Sequence, residues 1–180
     1  MSTVAVVAAG AGGVQSVRTG LVEPLLRDGH TVAVTLTPTA GAWLTDVGER
    51  RLLQEATGLP VRDRPRLPSA PSPHPPIDVY VAAPMTAGST AKLALGLGDN
   101  QALTVLTEAI GTAAPLVLFP CINAAHARHP AWPGHLATLA SAGVELLVGD
   151  DVWPLAEPRA PGTRELPWAA ILRAVGRHLT

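Results

Sequence analysis

The stretch that decides the fold is Val4-Ala-Val-Val-Ala-Ala-Gly-Ala-Gly-Gly13, near the start of the chain. Its apolar run predicts a strand buried on both faces, and its glycines predict a tight turn at the carboxyl end of that strand. Helical spacing of apolar residues follows over residues 14–27, and a β-branched run at 31–36 predicts a second strand. Strand, glycine-rich turn, helix and strand in this order form a βαβ unit, whose crossover is almost always right-handed.

The rest of the chain continues the alternation of strands and helices. Further strands are predicted at 77–83, 115–119 and 144–148, and helices at about 37–55, 86–95, 100–110, 130–142 and 167–178. The proline-rich segment 60–76 is expected to be an extended surface loop, because too little chain precedes it for a separate domain. The sequence therefore predicts a single α/β domain over residues 1–180: a Rossmann-like, doubly wound parallel sheet between two layers of helices.

The composition excludes several classes of function. An apolar fraction of 47% is too high for a disordered chain, and a formal net charge of −1 provides no basic surface for nucleic acid or acidic lipid. No apolar run is long enough to span a membrane. The single cysteine, Cys121, excludes an internal disulfide and suits a reducing compartment. We therefore expect a soluble cytoplasmic protein with no nucleic-acid or membrane partner.

Three loops with unusual residues follow predicted strands, at the edge of the sheet where ligands bind in such folds. They are Ala9-Gly-Ala-Gly-Gly13, Pro84-Met-Thr-Ala-Gly-Ser-Thr90 and Pro120-Cys-Ile-Asn123. Glycine amides before a helix can bind a phosphate, although such turns also serve close packing alone. The hydroxyls of the second loop are equally explained by helix capping, and Asn123 by a plain turn.

Taken in order, these motifs resemble the homo-oligomeric flavin-containing cysteine decarboxylases over about residues 4–148. That family includes phosphopantothenoylcysteine decarboxylases and the peptidyl-cysteine decarboxylases of lantibiotic pathways. Its PASANT segment and the helix after it match residues 84–90, followed by Lys92, Gly96 and Asp99-Asn100. Its P-x-M-N motif and the next helix match Pro120-Cys-Ile-Asn123, followed by His129-Pro-Ala, Leu136-Ala-Thr-Leu and Gly143-Val.

The resemblance implies an enzyme that binds FMN and oxidatively decarboxylates a thiol-bearing carboxylate, in a small molecule or at the C-terminus of a peptide. The residues it places around the cofactor are Gly10, Gly12, Gly13, Thr37, Pro84, Thr86, Ala87, Ser89 and Cys121. It implies that Asn123 grips the carboxylate or amide of the substrate and that His74 is the catalytic base. It also implies a homo-oligomer, either a trimer or a multiple of trimers.

Several positions depart from the family pattern. The hydroxyl of the first loop is replaced by Gly12, the Asn of PASANT by Gly88 and the Met of P-x-M-N by Ile122. His74 lies only ten residues before Pro84, closer than the family histidine. Two alternatives therefore stay open: an enzyme resembling flavin prenyltransferases, and a non-catalytic FMN-binding or regulatory homologue that has lost the base.

A metal site is not expected. Only His126 and His129 have a spacing that suggests a pair of ligands, and no third ligand lies near them in the sequence.

Overall fold

The computed structural model describes residues 1–161 and 164–179, and within these ranges one sheet of five strands forms the centre of the fold. The strands are β1 (Thr3–Ala8), β2 (Thr31–Leu36), β3 (Val79–Met85), β4 (Leu116–Pro120) and β5 (Glu145–Leu146). All neighbours pair in parallel, in the order β2-β1-β3-β4-β5. The predicted α/β class, with a doubly wound parallel sheet, is confirmed.

The helices lie close to their predicted positions. They are α1 (Glu23–Arg27), α2 (Pro38–Asp46), α3 (Glu49–Thr57), α4 (Ala87–Ala94), α5 (Gln101–Ile110), α6 (Ala124–Ala127), α7 (Trp132–Ser141) and α8 (Trp168–Gly176). Before α1, the chain forms a 3₁₀ turn at Val14–Ser16 and a π-helical turn at Arg18–Val22. The single helix predicted at 37–55 is instead two helices, because Gly48 adopts a left-handed φ of 77° between them.

The sheet is buried on both faces, which explains the continuous apolar runs of its strands. On one face, Val4 and Val6 of β1 pack in a cluster that includes Leu21 before α1 and Ile171 of α8. On the other face, the neighbouring Val7 belongs to a cluster with side chains of α4, α5 and α7. The successive residues of β1 therefore hold two helical layers against one strand.

The proline-rich segment covers one edge of the sheet. The N–H of Arg62 donates to Val34 O at 3.0 Å, and the N–H of Leu36 donates to Arg62 O at 2.6 Å. Arg62 thereby bridges to Thr35 in β2, an edge strand whose outer backbone groups would otherwise be open to another chain. The rest of this segment runs back to β3 as the predicted extended loop.

The strand order determines where a ligand fits. The chain moves from β1 to β2 on one side and then returns to β3 on the other side of β1, so the order reverses between β1 and β3. Crevices form at the carboxyl ends of the strands beside such a reversal. Among the residues described, none of the helices combines the length and apolar character that crossing a bilayer demands.

Candidate functional site

A cavity of about 450 Å³ opens at the carboxyl-terminal edge of the sheet. The turn after β1 lines it with Gly12 and Gly13, and the loop after β4 lines it with Cys121, Ile122 and Asn123. A third side, here called the C-terminal wall, consists of residues 153, 156–161 and 164 from the segment between β5 and α8. The cavity volume lies within the range usual for small-molecule and cofactor sites.

Backbone hydrogen bonds draw the three predicted loops together at the strand ends. The N–H of Ala9 donates to Pro84 O at 2.8 Å, and the N–H of Cys121 donates to Met85 O at 2.8 Å. The N–H of Thr37 donates to Ala8 O at 2.9 Å, which places the start of α2 beside the turn after β1. The loops therefore meet around the reversal point of the sheet, as the sequence predicts.

The glycines of the first loop have different surroundings. A Cβ on Gly10 would lie 2.6 Å from Thr39 Cγ2, so Gly10 permits close packing against the start of α2. Gly13 has a φ of +86°, which favours glycine. Around Gly12, no described atom lies within 4 Å of the position that a Cβ would take. The backbone of Gly12 is thus open to a ligand in the cavity.

The second loop begins α4 and caps it. Thr86 Oγ1 accepts from the N–H of Ser89 at 3.0 Å and donates to Ser89 Oγ at 3.0 Å. Neither of these residues nor Pro84 lines the 450 Å³ cavity, whereas Ala87 lines a separate cavity of about 320 Å³ between α4 and α7. His126 lines both cavities. The hydroxyls of this loop have a capping role, and a role toward a cofactor stays a prediction.

The third loop brings the side chain of Asn123 to the cavity. Asn123 caps α6, because its Oδ1 accepts from the N–H of His126 at 3.0 Å. With the oxygen engaged, the NH₂ group of this side chain is left as a donor with no partner among the described residues. Burial raises the pKa of the neighbouring Cys121 thiol, and the positive charge of Arg164 opposes part of that rise.

The C-terminal wall is held in place by Trp153. Its Nε1–H donates to Ile122 O at 3.2 Å, and its ring makes a T-shaped contact with the ring of Phe119 at a centroid distance of 5.6 Å. The guanidinium of Arg164 lies on this ring, with its Cζ 3.7 Å from the centroid, and donates to Pro154 O at 2.6 Å. The sequence alone assigned no role to this wall, because its only local signal is the presence of arginines among the prolines that follow β5.

The charges of the C-terminal wall do not cancel. Glu157 is the acidic residue of the described lining, and both its oxygens accept from Arg128, at 2.7 and 2.9 Å. This bidentate pair holds the pKa of Glu157 below its usual range. Arg159 and Arg164 make no ion pair with any carboxylate in the part of the chain described. The cavity therefore carries excess positive charge, which favours an anionic ligand.

His74 lies outside the residues that line this cavity. Its Nε2–H donates to Pro60 O at 2.8 Å, in the proline-rich segment beyond β2. Burial lowers the pKa of His74, against the smaller opposing effect of this hydrogen bond. Because Nε2 carries the proton, Nδ1 is the unprotonated nitrogen that a general base requires. Within one chain, the structure does not bring this nitrogen to Asn123.

Thr37 completes the predicted set. Its Oγ1 accepts from the N–H of Ala40 at 3.4 Å as the cap of α2, and the residue is buried.

Among residues 1–161 and 164–179, no three His, Cys, Asp or Glu side chains are grouped as a metal site.

Comparisons with known proteins agree on a family. The family model described as Flavoprotein matches residues 1–166. The coenzyme A biosynthesis bifunctional protein CoaBC of Escherichia coli (strain K12) is 31% identical over 147 residues, covering 78% of this chain and 34% of that protein. The chain thus spans about a third of the length of the curated relatives it matches.

Solved structures share the fold. The FMN-dependent cysteine decarboxylase TvaF from thioviridamide biosynthesis superposes with a TM-score of 0.72 at 24% identity, covering 99% of this chain and 98% of that one. A dodecameric FMN-dependent UbiX-like decarboxylase from Escherichia coli O157:H7 gives a TM-score of 0.71 at 15% identity, covering 97% and 94%.

Proposed function

This chain belongs to the Flavoprotein family, and on that premise we propose that it binds FMN and oxidatively decarboxylates a thiol-bearing carboxylate. The substrate is a cysteine-type compound, either a small molecule or the C-terminus of a peptide. The observation that carries this proposal is the 450 Å³ cavity at which the turn after β1 meets the Asn123 loop. Names of the similar proteins support it, since they include FMN-dependent cysteine decarboxylases.

The residues present fit a phosphorylated cofactor. No side chain and no other described atom covers the open side of Gly12, so a ligand can approach its backbone closely. Gly10, Gly13 and Thr37 shape the turn and the adjoining helix start, where backbone donors favour an anion. We propose that these four residues hold the phosphate end of FMN, and that Pro84, Thr86, Ala87, Ser89 and Cys121 border its remainder.

FMN, when bound, supplies the chemistry of accepting two electrons from the thiol, while the protein orients the substrate and stabilises charge. Asn123 is suited to the second task. Its NH₂ group can donate to an oxygen of the substrate carboxylate or amide, because its Oδ1 is already engaged by the N–H of His126. The short helix α6 therefore sets the direction of the catalytic donor.

His74 is proposed as the base, through Nδ1. The Pro60 carbonyl fixes the ring, and the lowered pKa keeps it unprotonated near neutral pH. Since His74 does not line the cavity of its own chain, this role requires that another copy complete the site.

We propose that the chain forms a homo-oligomer, a trimer or a multiple of trimers, in the cytoplasm. Exposed apolar side chains support self-association: Leu95 is 64% exposed and Leu97 49% exposed after α4, and Leu67 is 73% exposed in the proline-rich loop. A similar flavin-dependent decarboxylase is dodecameric, and twelve subunits are a multiple of three.

A second candidate is a non-catalytic FMN-binding homologue. The absence of His74 from the lining of the cavity favours it, because a chain without a base in reach binds flavin without turning over. The two candidates differ in one measurement, the release of CO₂ by protein that is saturated with FMN.

The test begins with the absorbance spectrum of the purified protein and identification of any released cofactor. We expect flavin bands, FMN as the released molecule and CO₂ from a peptide ending in cysteine. Gly13→Ala should weaken FMN binding by about tenfold or more, because its φ of +86° is strained for alanine and its Cβ would lie 2.9 Å from Leu166 Cγ, so the turn after β1 must shift. Gly134→Ala on α7 meets no atom within 4 Å and should bind FMN normally.

Two outcomes would contradict the proposal. Colourless protein that takes up no added FMN removes the flavin function altogether. Flavin-loaded protein that forms oligomers but releases no CO₂ from a panel of thiol carboxylates replaces the enzyme by the non-catalytic homologue.

A further inference from the structure

We propose that Arg164, held against Trp153, is the residue with which this cavity recognises an anionic group, a phosphate or a carboxylate of its ligands. This inference deepens the proposed function and rests on it. It adds a specificity determinant on the C-terminal wall, outside the three loops.

The first support is the geometry of Arg164. Its guanidinium is stacked on the Trp153 ring at 3.7 Å and tied by one hydrogen bond to Pro154 O. The indole is itself fixed through Ile122 O and the Phe119 ring. The remaining N–H donors of the guanidinium have no other hydrogen-bond partner among the described residues. An oriented fork of free donors is the arrangement that binds a planar carboxylate or a phosphate through two hydrogen bonds.

The second support is the charge balance of the cavity. Glu157 is neutralised by Arg128, so it does not compensate the positive charge of Arg164. Arg159 also lines the cavity and adds a second positive charge that no described carboxylate pairs with. Although the whole chain has a formal net charge of −1, this wall thus carries two positive charges that no described carboxylate pairs with. Such a wall attracts anions and repels cationic ligands.

The third support is the position of Arg164 relative to the loop after β4. Both line the same cavity, and the charge of Arg164 is close enough to act on the Cys121 thiol. The Cys121 Sγ–H donates to Gly12 O at 3.8 Å, so the guanidinium, the thiol and the turn after β1 surround one volume. An anion bound in this cavity therefore has two donors among the lining residues, the NH₂ group of Asn123 and the guanidinium of Arg164.

The anion has two possible sources, which pairs of probes distinguish. FMN and riboflavin differ only in the phosphate. A tetrapeptide ending in cysteine and the same peptide as its C-terminal amide differ only in the carboxylate. The variants are Arg164→Gln, which removes the charge, and Arg164→Lys, which keeps the charge but loses the planar fork. Arg173→Gln is the matched control, because Arg173 is exposed on α8 and does not line the cavity.

Binding of each probe to the full chain is measured by flavin fluorescence for the flavins and by calorimetry for the peptides. We expect Arg164→Gln to raise the dissociation constant of one charged probe by about tenfold or more, and that of its neutral counterpart by less than about twofold. Arg164→Lys should lose part of that preference, and Arg173→Gln should lose none. Selective loss for FMN assigns the phosphate, and selective loss for the acid peptide assigns the carboxylate.

The proposal is overturned if Arg164→Gln leaves all four dissociation constants unchanged, or if it weakens charged and neutral probes equally while its melting temperature falls. Wild-type protein that prefers neither charged probe also overturns it. Protein that binds neither flavin overturns the proposed function, and the acid and amide peptides then still decide the role of Arg164.

Discussion

At the scale of single residues, the two ends of the Asn123 amide have separate tasks. The oxygen caps α6 by accepting from the N–H of His126, and the NH₂ group is left toward the cavity. Stability and activity can therefore be changed independently at one position. A carboxylate keeps the cap and loses the donor, whereas alanine loses both.

Asn123→Asp tests this separation. We expect its free energy of unfolding to stay within about 0.5 kcal/mol of the wild type, because aspartate caps helices as well as asparagine. CO₂ release should fall by about a hundredfold or more, because the NH₂ donor is replaced by a negative charge facing a carboxylate. Asn123→Ala should lose similar activity and about 1 kcal/mol of stability. An Asn123→Asp variant with wild-type turnover would contradict the assigned donor.

His74 predicts a dependence of stability on pH. Its pKa in the folded protein lies below the ordinary value of 6.5, so the unfolded chain binds this proton more readily. As pH falls through about 6.5, protonation favours the unfolded state, and stability decreases until the folded pKa is passed. Urea denaturation of the wild type between about pH 5.5 and 7.5 should show this decrease. His74→Gln should flatten it, and an equally steep slope in that variant would assign the effect elsewhere.

Several single-residue predictions coincide with structural roles. Thr37, Thr86 and Asn123 were selected for a cofactor or substrate, and each is the N-cap of a helix that begins at the carboxyl end of a strand. Local sequence indicates such positions well, because capping and ligand binding both need a polar side chain before a helix. Local sequence contains no signal for Arg164, whose position depends on Trp153 lying under it.

At the scale of elements, the π-helical turn at Arg18–Val22 packs closely against α8 at Gly20. A Cβ at this position would lie 2.2 Å from Trp168 Cδ1, and Trp168 Nε1–H donates to Ser16 Oγ at 3.0 Å. The neighbouring Leu166 contacts the position that a Cβ would take on Gly13, in the turn of the cavity. Packing of α8 therefore supports the turn after β1.

Gly20→Ala should displace Trp168 and lower the free energy of unfolding by about 1–3 kcal/mol, as overpacking does elsewhere. We also expect weaker FMN binding, because a shift of Trp168 moves Leu166 away from Gly13. Gly134→Ala, a helix glycine with open surroundings, is the control and should keep or slightly raise stability. A Gly20→Ala variant as stable as the wild type would show that α8 can move without cost.

The bounds of strands and helices were predictable from the sequence where an apolar pattern extends over the whole element. β2 is observed at the predicted residues, and α4 and α5 are separated by the predicted glycine break. The four-residue α6 was not predicted, because one turn has no apolar periodicity. β5 is shorter than predicted, since only two of its residues pair with β4 at the end of the sheet.

At the scale of the whole molecule, the proposed self-association has the most consequences for the proposed site. Leu95 and Leu97 after α4 are 64% and 49% exposed, and His74 does not line the cavity of its own chain. Both features fit a site completed by a second copy.

Light scattering of the wild type should give the mass of a trimer or of a multiple of trimers. Leu95→Glu combined with Leu97→Glu should lower that mass, because charges at a buried contact are costly. CO₂ release should fall with it if copies share the site. Thr19→Glu is the control, because Thr19 is exposed in the π-helical turn at Arg18–Val22, and it should leave the assembly intact. A monomeric wild type, or a double variant with unchanged mass and turnover, would contradict the oligomer.

The sequence by itself determined the class of fold, the order of strands and helices, and the loops at the edge of the sheet. Periodicity and capping are local, so a stretch such as residues 4–13 already contains the information for a buried strand and its turn. Only the tertiary structure decided the C-terminal wall, the open side of Gly12, and the separation of His74 from Asn123. These depend on contacts between residues far apart in the chain, whose spacing no local pattern encodes.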